Sequence, residues 1–311
     1  MLTAHRFAAG VGLMQMHDAE ATARLLPYPV LIAALEELLP AYGRGEIHSP
    51  ERLVMPIAGG AGTLLSMPCS GPDLVAHKLI TIHNSNPARG LPALQGQVTG
   101  IDAMTGQALF VLDGPTVTAR RTAAISMIGL RHLHPAPPTN LRLIGAGPQA
   151  RAHVEALLAL FPDVAIRVQA RRAEAVAAFC EGFAGHGDVR PATGTVTEDA
   201  VIAVTSSRQP VYAEPARAGR LVVGVGAYRL DMIEIGSPSM QDAQIYVDDP
   251  VGAPVEAGDI VAAGIDWATV TPLAQALIHK PDFSRPIFFK SVGCAAWDLA
   301  ACRVARSALS A

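Results

Sequence analysis

The sequence predicts an α/β fold, with a doubly wound, mostly parallel sheet in the second half of the chain and a separate α+β region around it. Three observations predict this. An apolar run meets a glycine-rich turn and an apolar-periodic helix in mid-chain, at residues 141–160. Strand and helix patterns alternate after that turn, whereas short strand patterns crowd together before it. The 311 residues, half of them hydrophobic, suffice for two domains.

The first half begins with helical turns and continues as strands. Residues 17–40 show a helical pattern interrupted at Pro27 and Pro29. A hairpin pattern turns at Thr105 and Gly106. A helix from about residue 118 to residue 133 and the linker 134–140 complete this half. The predicted strands are 52–58, 62–68, 74–82, 94–103 and 107–113.

The second half alternates between strands and helices. The predicted strands are 141–145, 165–170, 200–205, 220–225 and 244–247, and the helices between them include 149–160 and 172–183. Residues 285–309 show a strand-like stub, a glycine turn and an Ala-rich helix. Because Ala-rich helices pack closely against other helices, we expect this one to return to the first domain.

The mid-chain turn has the chemistry of a dinucleotide site. Gly145 allows a tight turn, Gly147 lets the backbone approach a pyrophosphate, and Ala150 is small enough for the helix to pack on the strand. The helix start offers unpaired N–H groups to the phosphates. The predicted cofactor-binding residues of the turn are Gly145, Ala146, Gly147, Pro148, Gln149 and Ala150.

The end of the next strand bears on which dinucleotide binds. An NAD site usually has a carboxylate there for the ribose hydroxyls. Here the strand ends in Ala170, Arg171 and Arg172, with no carboxylate before Glu174. Because guanidinium binds phosphate well, we expect NADP(H) to be preferred, with NAD(H) as the alternative.

Composition excludes several classes of partner. The net charge of −3 and the lack of a basic stripe argue against nucleic acid. We expect no membrane span and, from the N-terminal residues 1–10, no signal peptide. The four scattered cysteines indicate reduced thiols in the cytoplasm and no metal site. Only three lysines stand against many arginines, which suggests that a retained lysine needs ammonium chemistry.

Five segments together resemble the ornithine cyclodeaminase/mu-crystallin family, in the right order along nearly the whole chain. They are 77–81 (HKLIT), 86–96, 113–124 (with TARRTAA), 145–153 and 288–300 (with KSVG). The resemblance implies a homodimer. It implies a substrate-binding and dimerisation domain of residues 1–118 and 295–311, with a dinucleotide-binding Rossmann domain, 119–294, inserted. It also implies action on amino acids or cyclic imino acids.

The family's carboxylate-binding cations fall on Arg52, Lys78 and Arg121. An α-carboxylate must be held so that the α-carbon presents one face to a hydride, and a bidentate arginine fixes that orientation. Lys78 lies in an otherwise apolar strand, where an unpartnered ammonium would be costly. Arg52 has the shortest matching context.

Further cofactor contacts are expected at the ends of later strands. Thr205, Ser206 and Ser207 end one strand, where ligands of open α/β sheets bind. Val225 and Gly226 end the next and are expected along the nicotinamide. Ser291 matches the nicotinamide-side loop of the family. The proton donor stays open between Lys78, a bound water and Tyr228.

One position distinguishes the lyase reaction from the reductase reaction. By the resemblance, the lyase branch carries an acid/base aspartate where this chain has Tyr228, a poor base near neutrality. We therefore expect NADPH-dependent reduction of Δ1-pyrroline-2-carboxylate or Δ1-piperideine-2-carboxylate to proline or pipecolate. The alternatives are an ornithine cyclodeaminase using Asp231 or another acid, alanine-dehydrogenase-like reductive amination, and a protein that binds NADPH without turnover.

Overall fold

The computed structural model of the protein describes residues 14–310. The N-terminal stretch 1–10, on which the signal-peptide expectation depends, lies outside the described residues. The strands are β1 (Gln15–Met16), β2 (Leu53–Ile57), β3 (Gly62–Ser70), β4 (Leu74–Ile82), β5 (Leu94–Asp102), β6 (Ala108–Asp113), β7 (Asn140–Ile144), β8 (Ala165–Gln169), β9 (Val189–Pro191), β10 (Ala200–Ala203), β11 (Leu221–Gly224), β12 (Gln244–Val247), β13 (Thr271–Pro272) and β14 (Ile287–Lys290).

The α-helices connect and cover these strands. They are α1 (Ala19–Leu25), α2 (Tyr28–Gly43), α3 (Gly114–Leu133), α4 (Pro148–Leu160), α5 (Ala173–Glu181), α6 (Ala253–Glu256), α7 (Gly258–Ala262), α8 (Leu273–Ala276) and α9 (Ala295–Leu309).

The first sheet has six strands in the order β1-β6-β5-β4-β3-β2. Strands β2 to β6 pair antiparallel, and β1 pairs parallel to β6. Alternate residues of β4, from Leu74 to Ile80, point inward and are buried beneath α3 and α9. Lys78 is one of these inward residues, so the period of two places its ammonium in the core. The C-terminal helix thus returns to the first sheet as expected.

The second sheet has eight parallel strands in the order β13-β12-β14-β11-β10-β7-β8-β9. This confirms the predicted doubly wound sheet. The carboxyl ends of β7, β8, β10, β11 and β14 share one edge, which is where open α/β sheets bind ligands. Strands β9 and β13, of three and two residues, were too short for the sequence pattern to reveal.

Helix α3 begins four residues earlier than predicted. Asp113 caps it by accepting a 2.8 Å hydrogen bond from the Thr116 N–H, and Pro115 occupies its first turn. The helix packs against α2 and α9 of the first domain and against α4 of the second. It therefore crosses the predicted boundary at residue 118, and the domain limits stay a prediction.

Among residues 14–310, no single helix is long and apolar enough to cross a bilayer. The bent pair α1 and α2, which meet at 65°, meets that test only by combined length and composition.

Candidate active site

The turn between β7 and α4 has the geometry of a pyrophosphate cradle. Gly145 has a φ of +133°, a value that side-chain-bearing residues rarely adopt. A Cβ on Gly147 would meet no atom within 4 Å, so the space in front of this residue is open. Gly147 precedes α4 without a side-chain cap, which leaves the first N–H groups of the helix available. These residues fit the phosphates of a dinucleotide.

The arginines after β8 lie at the same edge of the sheet. Arg171 and Arg172 are both exposed, and neither guanidinium group forms a hydrogen bond or ion pair with another described residue. Ala170 is partly buried against the main core. The strand end thus presents two guanidinium groups without partners among the described residues.

The ends of β10 and β11 are tied together by one carboxylate. Glu234 is fully buried and accepts the N–H of Ala227 at 2.9 Å and also those of Thr205 and Gly226. A Cβ on Gly226 would lie 1.9 Å from the Thr205 carbonyl oxygen, so only glycine allows this approach. Burial raises the pKa of Glu234.

The hydroxyl groups predicted for the cofactor are partly engaged locally. Ser207 donates to the Gln209 carbonyl at 2.6 Å, and Thr205 accepts the Ser207 N–H at 3.2 Å. Ser206 is exposed, and Val225 is buried.

Lys290, the last residue of β14, is fully buried. Its ammonium lies 2.8 Å from Asp259, and both side chains are fully buried. The second oxygen of Asp259 accepts the N–H groups of Glu234 and Ile235 at 2.6 and 3.0 Å. This buried cluster, Lys290–Asp259–Glu234, fixes the backbone at the ends of β10 and β11.

The loop after β14 is organised by Asp248. This buried carboxylate accepts the N–H groups of Val292 and Gly293 at 2.8 and 3.0 Å, and the Trp297 indole at 3.2 Å. The Ser291 hydroxyl also donates to it, at 2.9 Å, so this hydroxyl is engaged in the loop. Burial raises the pKa of Asp248.

Two predicted substrate cations meet at one acid. Lys78 lies 2.8 Å from one oxygen of Asp298, and the Nε atom of Arg121 lies 3.4 Å from the other. All three side chains are buried. Two cations share a single carboxylate, so the cluster Lys78–Asp298–Arg121 keeps an excess positive charge. Burial lowers the pKa of Lys78 to about 8, although Asp298 opposes the change.

Gly293 connects this cluster to the loop beneath it. Its φ is +74°, and a Cβ at this position would lie 2.2 Å from the Nη1 atom of Arg121. The guanidinium therefore occupies the space that any larger residue would need.

Arg52 lies beside the same loop. Its Nη2 atom donates to the Gly293 carbonyl at 2.5 Å and pairs with Glu256 at 2.7 Å. Arg52 and Glu256 line a cavity of about 110 Å³ together with Met67, Asp249 and Cys294. Burial raises the pKa of Glu256 to about 7, although Arg52 opposes the change.

Tyr228, at the position that separates the lyase from the reductase chemistry, is not a base near neutrality. The side chain of Tyr228 is half-buried. Asp231 is exposed and forms ion pairs with Arg229 at 2.9 Å and with Arg208 at 3.3 Å. Asp231 is therefore engaged at the surface and does not join the cation cluster.

The sequence pattern missed Asp298 and Glu256 as site residues. Asp298 lies in the 288–300 segment of the resemblance, and its signal was a lone acid in an Ala-rich helix. Glu256 had no local signal, because its partner Arg52 is far away in the chain. Among the described residues, no group of three or more His, Cys, Asp or Glu side chains could hold a metal ion.

Comparisons with known proteins agree with this geometry. The model of the ornithine cyclodeaminase/mu-crystallin family matches residues 13–311. The chain is 51% identical over 298 residues to Delta(1)-pyrroline-2-carboxylate reductase 2 of Burkholderia ambifaria, covering 94% of this chain and 96% of that protein. The Delta(1)-pyrroline-2-carboxylate/Delta(1)-piperideine-2-carboxylate reductase of Azospirillum brasilense matches at the same identity and coverage.

A solved structure shares the fold. The Thermococcus litoralis Delta(1)-pyrroline-2-carboxylate reductase, in complex with NADH and L-proline, superposes with a TM-score of 0.87 at 24% identity. The match covers 96% of this chain and 98% of that one.

Proposed function

Because this chain belongs to the ornithine cyclodeaminase/mu-crystallin family, we propose that it is an NAD(P)H-dependent oxidoreductase acting on the C=N bond of a cyclic imino acid. The substrates are Δ1-pyrroline-2-carboxylate and Δ1-piperideine-2-carboxylate, which are reduced to L-proline and L-pipecolate. The relatives at 51% identity carry these substrates in their names. The observation that carries the proposal is the buried pair of cations, Lys78 and Arg121, sharing one carboxylate.

The residues of this chain bind and orient the substrate. Lys78 and Arg121 hold its carboxylate, since Asp298 neutralises only one of their two charges. Arg52 can add a contact through its Nε and Nη1 atoms, because its two contacts to the described residues both use Nη2. A bound, reduced nicotinamide supplies the hydride. A fixed carboxylate presents one face of the imine carbon, which gives the L product.

The cofactor site is formed by the turn 145–150 and the ends of β8, β10 and β11. We propose that the N–H groups at the start of α4 bind the pyrophosphate and that Arg171 and Arg172 bind a 2′-phosphate. The support is their exposure and their lack of partners among the described residues. NADPH is then preferred over NADH.

Cofactor preference can be tested by replacing both arginines with alanine. We expect the ratio of kcat/KM for NADPH to that for NADH to fall by about 10–100-fold, since charge-assisted bonds contribute about 1.5–3 kcal/mol. Arg190→Ala, an exposed arginine on the neighbouring strand, is the matched control. An unchanged ratio in the double variant removes Arg171 and Arg172 from the phosphate site.

The exposed edge strand of the first sheet supports a proposal about the quaternary state. Leu53, Val54 and Met55 on the edge strand β2 are 60%, 57% and 44% exposed. We propose that a second copy of the chain covers this apolar edge, forming a homodimer. Light scattering should give twice the monomer mass.

The four cysteines are free and buried, which supports a cytoplasmic location.

A substrate panel tests the reaction. The purified protein should oxidise NADPH with five- and six-membered cyclic imino acids, without any need for ammonium. Ammonia release from ornithine with catalytic NAD would indicate a cyclodeaminase instead. Ammonium-dependent reduction of pyruvate would indicate an alanine dehydrogenase, and a lack of turnover with every substrate would indicate a binding protein.

A further inference from the structure

The reduction of a cyclic imine consumes a proton as well as a hydride, and the groups that hold the carboxylate are poor sources of that proton. Lys78 is almost fully buried and its ammonium is paired with Asp298. The guanidinium groups of Arg52 and Arg121 do not release protons near neutrality. A separate acid would supply this proton while Lys78 and the two arginines keep the charges that hold the carboxylate.

Glu256 lies where such an acid is needed. It ends helix α6, and its side chain faces the cavity of about 110 Å³ beside Arg52. A short series of contacts joins it to the cation cluster: Glu256 to Arg52, Arg52 to the Gly293 carbonyl, and Gly293 to the Arg121 guanidinium. Arg52 and Gly293 therefore connect the acid to the carboxylate-binding cations.

The carboxyl group of Glu256 can exchange a proton with the cavity. Its Oε2 atom forms an ion pair with Arg52 at 2.7 Å but is buried without a hydrogen bond to the described residues. The cavity reaches the surface at Val251, which is 70% exposed, so solvent can restore the proton.

We propose that Glu256 is the general acid that delivers the proton to the ring nitrogen of the imine. The inference rests on the proposed reductase activity.

The step balances as follows. The O–H bond of the Glu256 carboxyl breaks as an N–H bond forms on the ring nitrogen, which gives an iminium. Hydride adds to the adjacent carbon, and the C=N π pair becomes the lone pair of the amine nitrogen. The carboxylate takes a proton from solvent before the next turnover. One proton and one hydride are consumed in each cycle.

The charges around Glu256 are consistent with this role. Arg52 favours the carboxylate, whereas Asp248, Asp249 and Glu51 and the burial of the group favour the acid. The pKa of Glu256 is raised to about 7 by these effects, of which burial is the largest, so a large fraction carries a proton at neutrality. Tyr42, whose hydroxyl donates to Asp249 at 2.8 Å, faces the same group of acids.

The test compares two substrates in the variant Glu256→Gln. Glutamine keeps the shape but has no acidic proton. We expect kcat on the free imine to fall by about 100-fold or more. The N-methylated iminium carboxylate of the same ring already carries a positive nitrogen, and its reduction should be unchanged. Glu37→Gln, on the exposed face of α2, is the control.

The outcomes separate the possibilities. Equal losses on both substrates would mean that Glu256 acts only by positioning Arg52, and no loss on either would mean that it has no role. Both results overturn the proposal. A native protein that reduces neither substrate refutes the reductase activity itself.

A pH profile gives a second readout that does not depend on the methylated substrate. The native kcat should be flat below pH about 7 and fall above it, since the acid must be protonated. Glu256→Gln should lose this limb, and Glu256→Asp should retain a falling limb at reduced kcat. An unchanged limb in the Gln variant overturns the proposal.

Discussion

Two buried lysines, Lys78 in the first sheet and Lys290 in the second, are held in different ways. Each ammonium lies 2.8 Å from an aspartate, and each pair is essentially inaccessible to solvent. Around Lys290, however, two acids share one cation, and both acids accept backbone N–H groups at the ends of the strands. Around Lys78, two cations share Asp298, which accepts no backbone N–H group within residues 14–310.

The difference teaches what makes a buried ion pair functional. The two carboxylates of the Lys290 cluster accept backbone N–H groups, so the cluster fixes the conformation of the strand ends. The Lys78 cluster keeps an excess positive charge without a protein partner, so it can accept the anion of a substrate. A buried cation alone does not distinguish these roles, but the other bonds of its aspartate do.

Replacing Lys78 with methionine should have the largest effect on activity. Removing one member of a charge pair costs about 2–5 kcal/mol, so kcat/KM for the imino acid should fall by roughly 30–5,000-fold. The dissociation constant for NADPH, followed by fluorescence titration, should hardly change. A comparable loss of cofactor affinity would place Lys78 in a structural role like that of Lys290.

Lys290→Met should act on stability. It leaves Asp259 and Glu234 buried without a cation, and removing one partner of a buried pair costs about 3–5 kcal/mol. Urea denaturation should show this loss in the free energy of unfolding. If stability is unchanged while KM for the imino acid rises, the Lys290 cluster belongs to substrate binding, and the comparison with Lys78 fails.

Gly293→Ala tests the contact between the loop and Arg121. The new methyl group would lie 2.2 Å from the Nη1 atom, so the guanidinium must move, and we expect KM for the imino acid to rise by roughly 10-fold, about 1.4 kcal/mol. Gly264→Ala is the matched control, since Gly264 has a similar φ of +67° and open space around it. If both variants raise KM equally, backbone strain and not the displacement of Arg121 is the cause.

The smallest effect should appear as a pH dependence. Burial lowers the pKa of Lys78 to about 8, so its charge is present below that pH and is lost above it. The affinity for the substrate anion should follow the charge, and KM for the imino acid should rise by several-fold between pH 7 and pH 9. Lys78→Arg should flatten this rise, because arginine stays charged. A persistent rise in that variant assigns the titration to another group.

Local signals in the sequence predicted most of the fold. The turn at Gly145 and Gly147 was predictable because its strand, glycines and helix are contiguous, and β4 matched residues 74–82 because its pattern continues over nine residues. The start of α3 was misjudged because Asp113 was assigned to the preceding strand, although it caps a helix whose first turn contains Pro115.

The site was only partly predictable, because its acids lie far from its cations in the chain. Lys78 and Asp298 are separated by 220 positions, and the resemblance indicated the cation but not its partner. Arg52 and Glu256 meet only because α6, which follows β12 of the second sheet, comes close to the segment before β2 of the first. Such pairs depend on how the two sheets come together, which no local pattern encodes.

The return of α9 to the first sheet imposes an order in time on the maturation of this protein. The ribosome completes β4 and the rest of the first sheet about 180 residues before it makes α9. Until α9 arrives with Asp298, the inward-facing ammonium of Lys78 has no counter-ion, and burying it alone would be costly. The first sheet to be synthesised is thus among the last parts to close, and the nascent chain is exposed to chaperones throughout that interval.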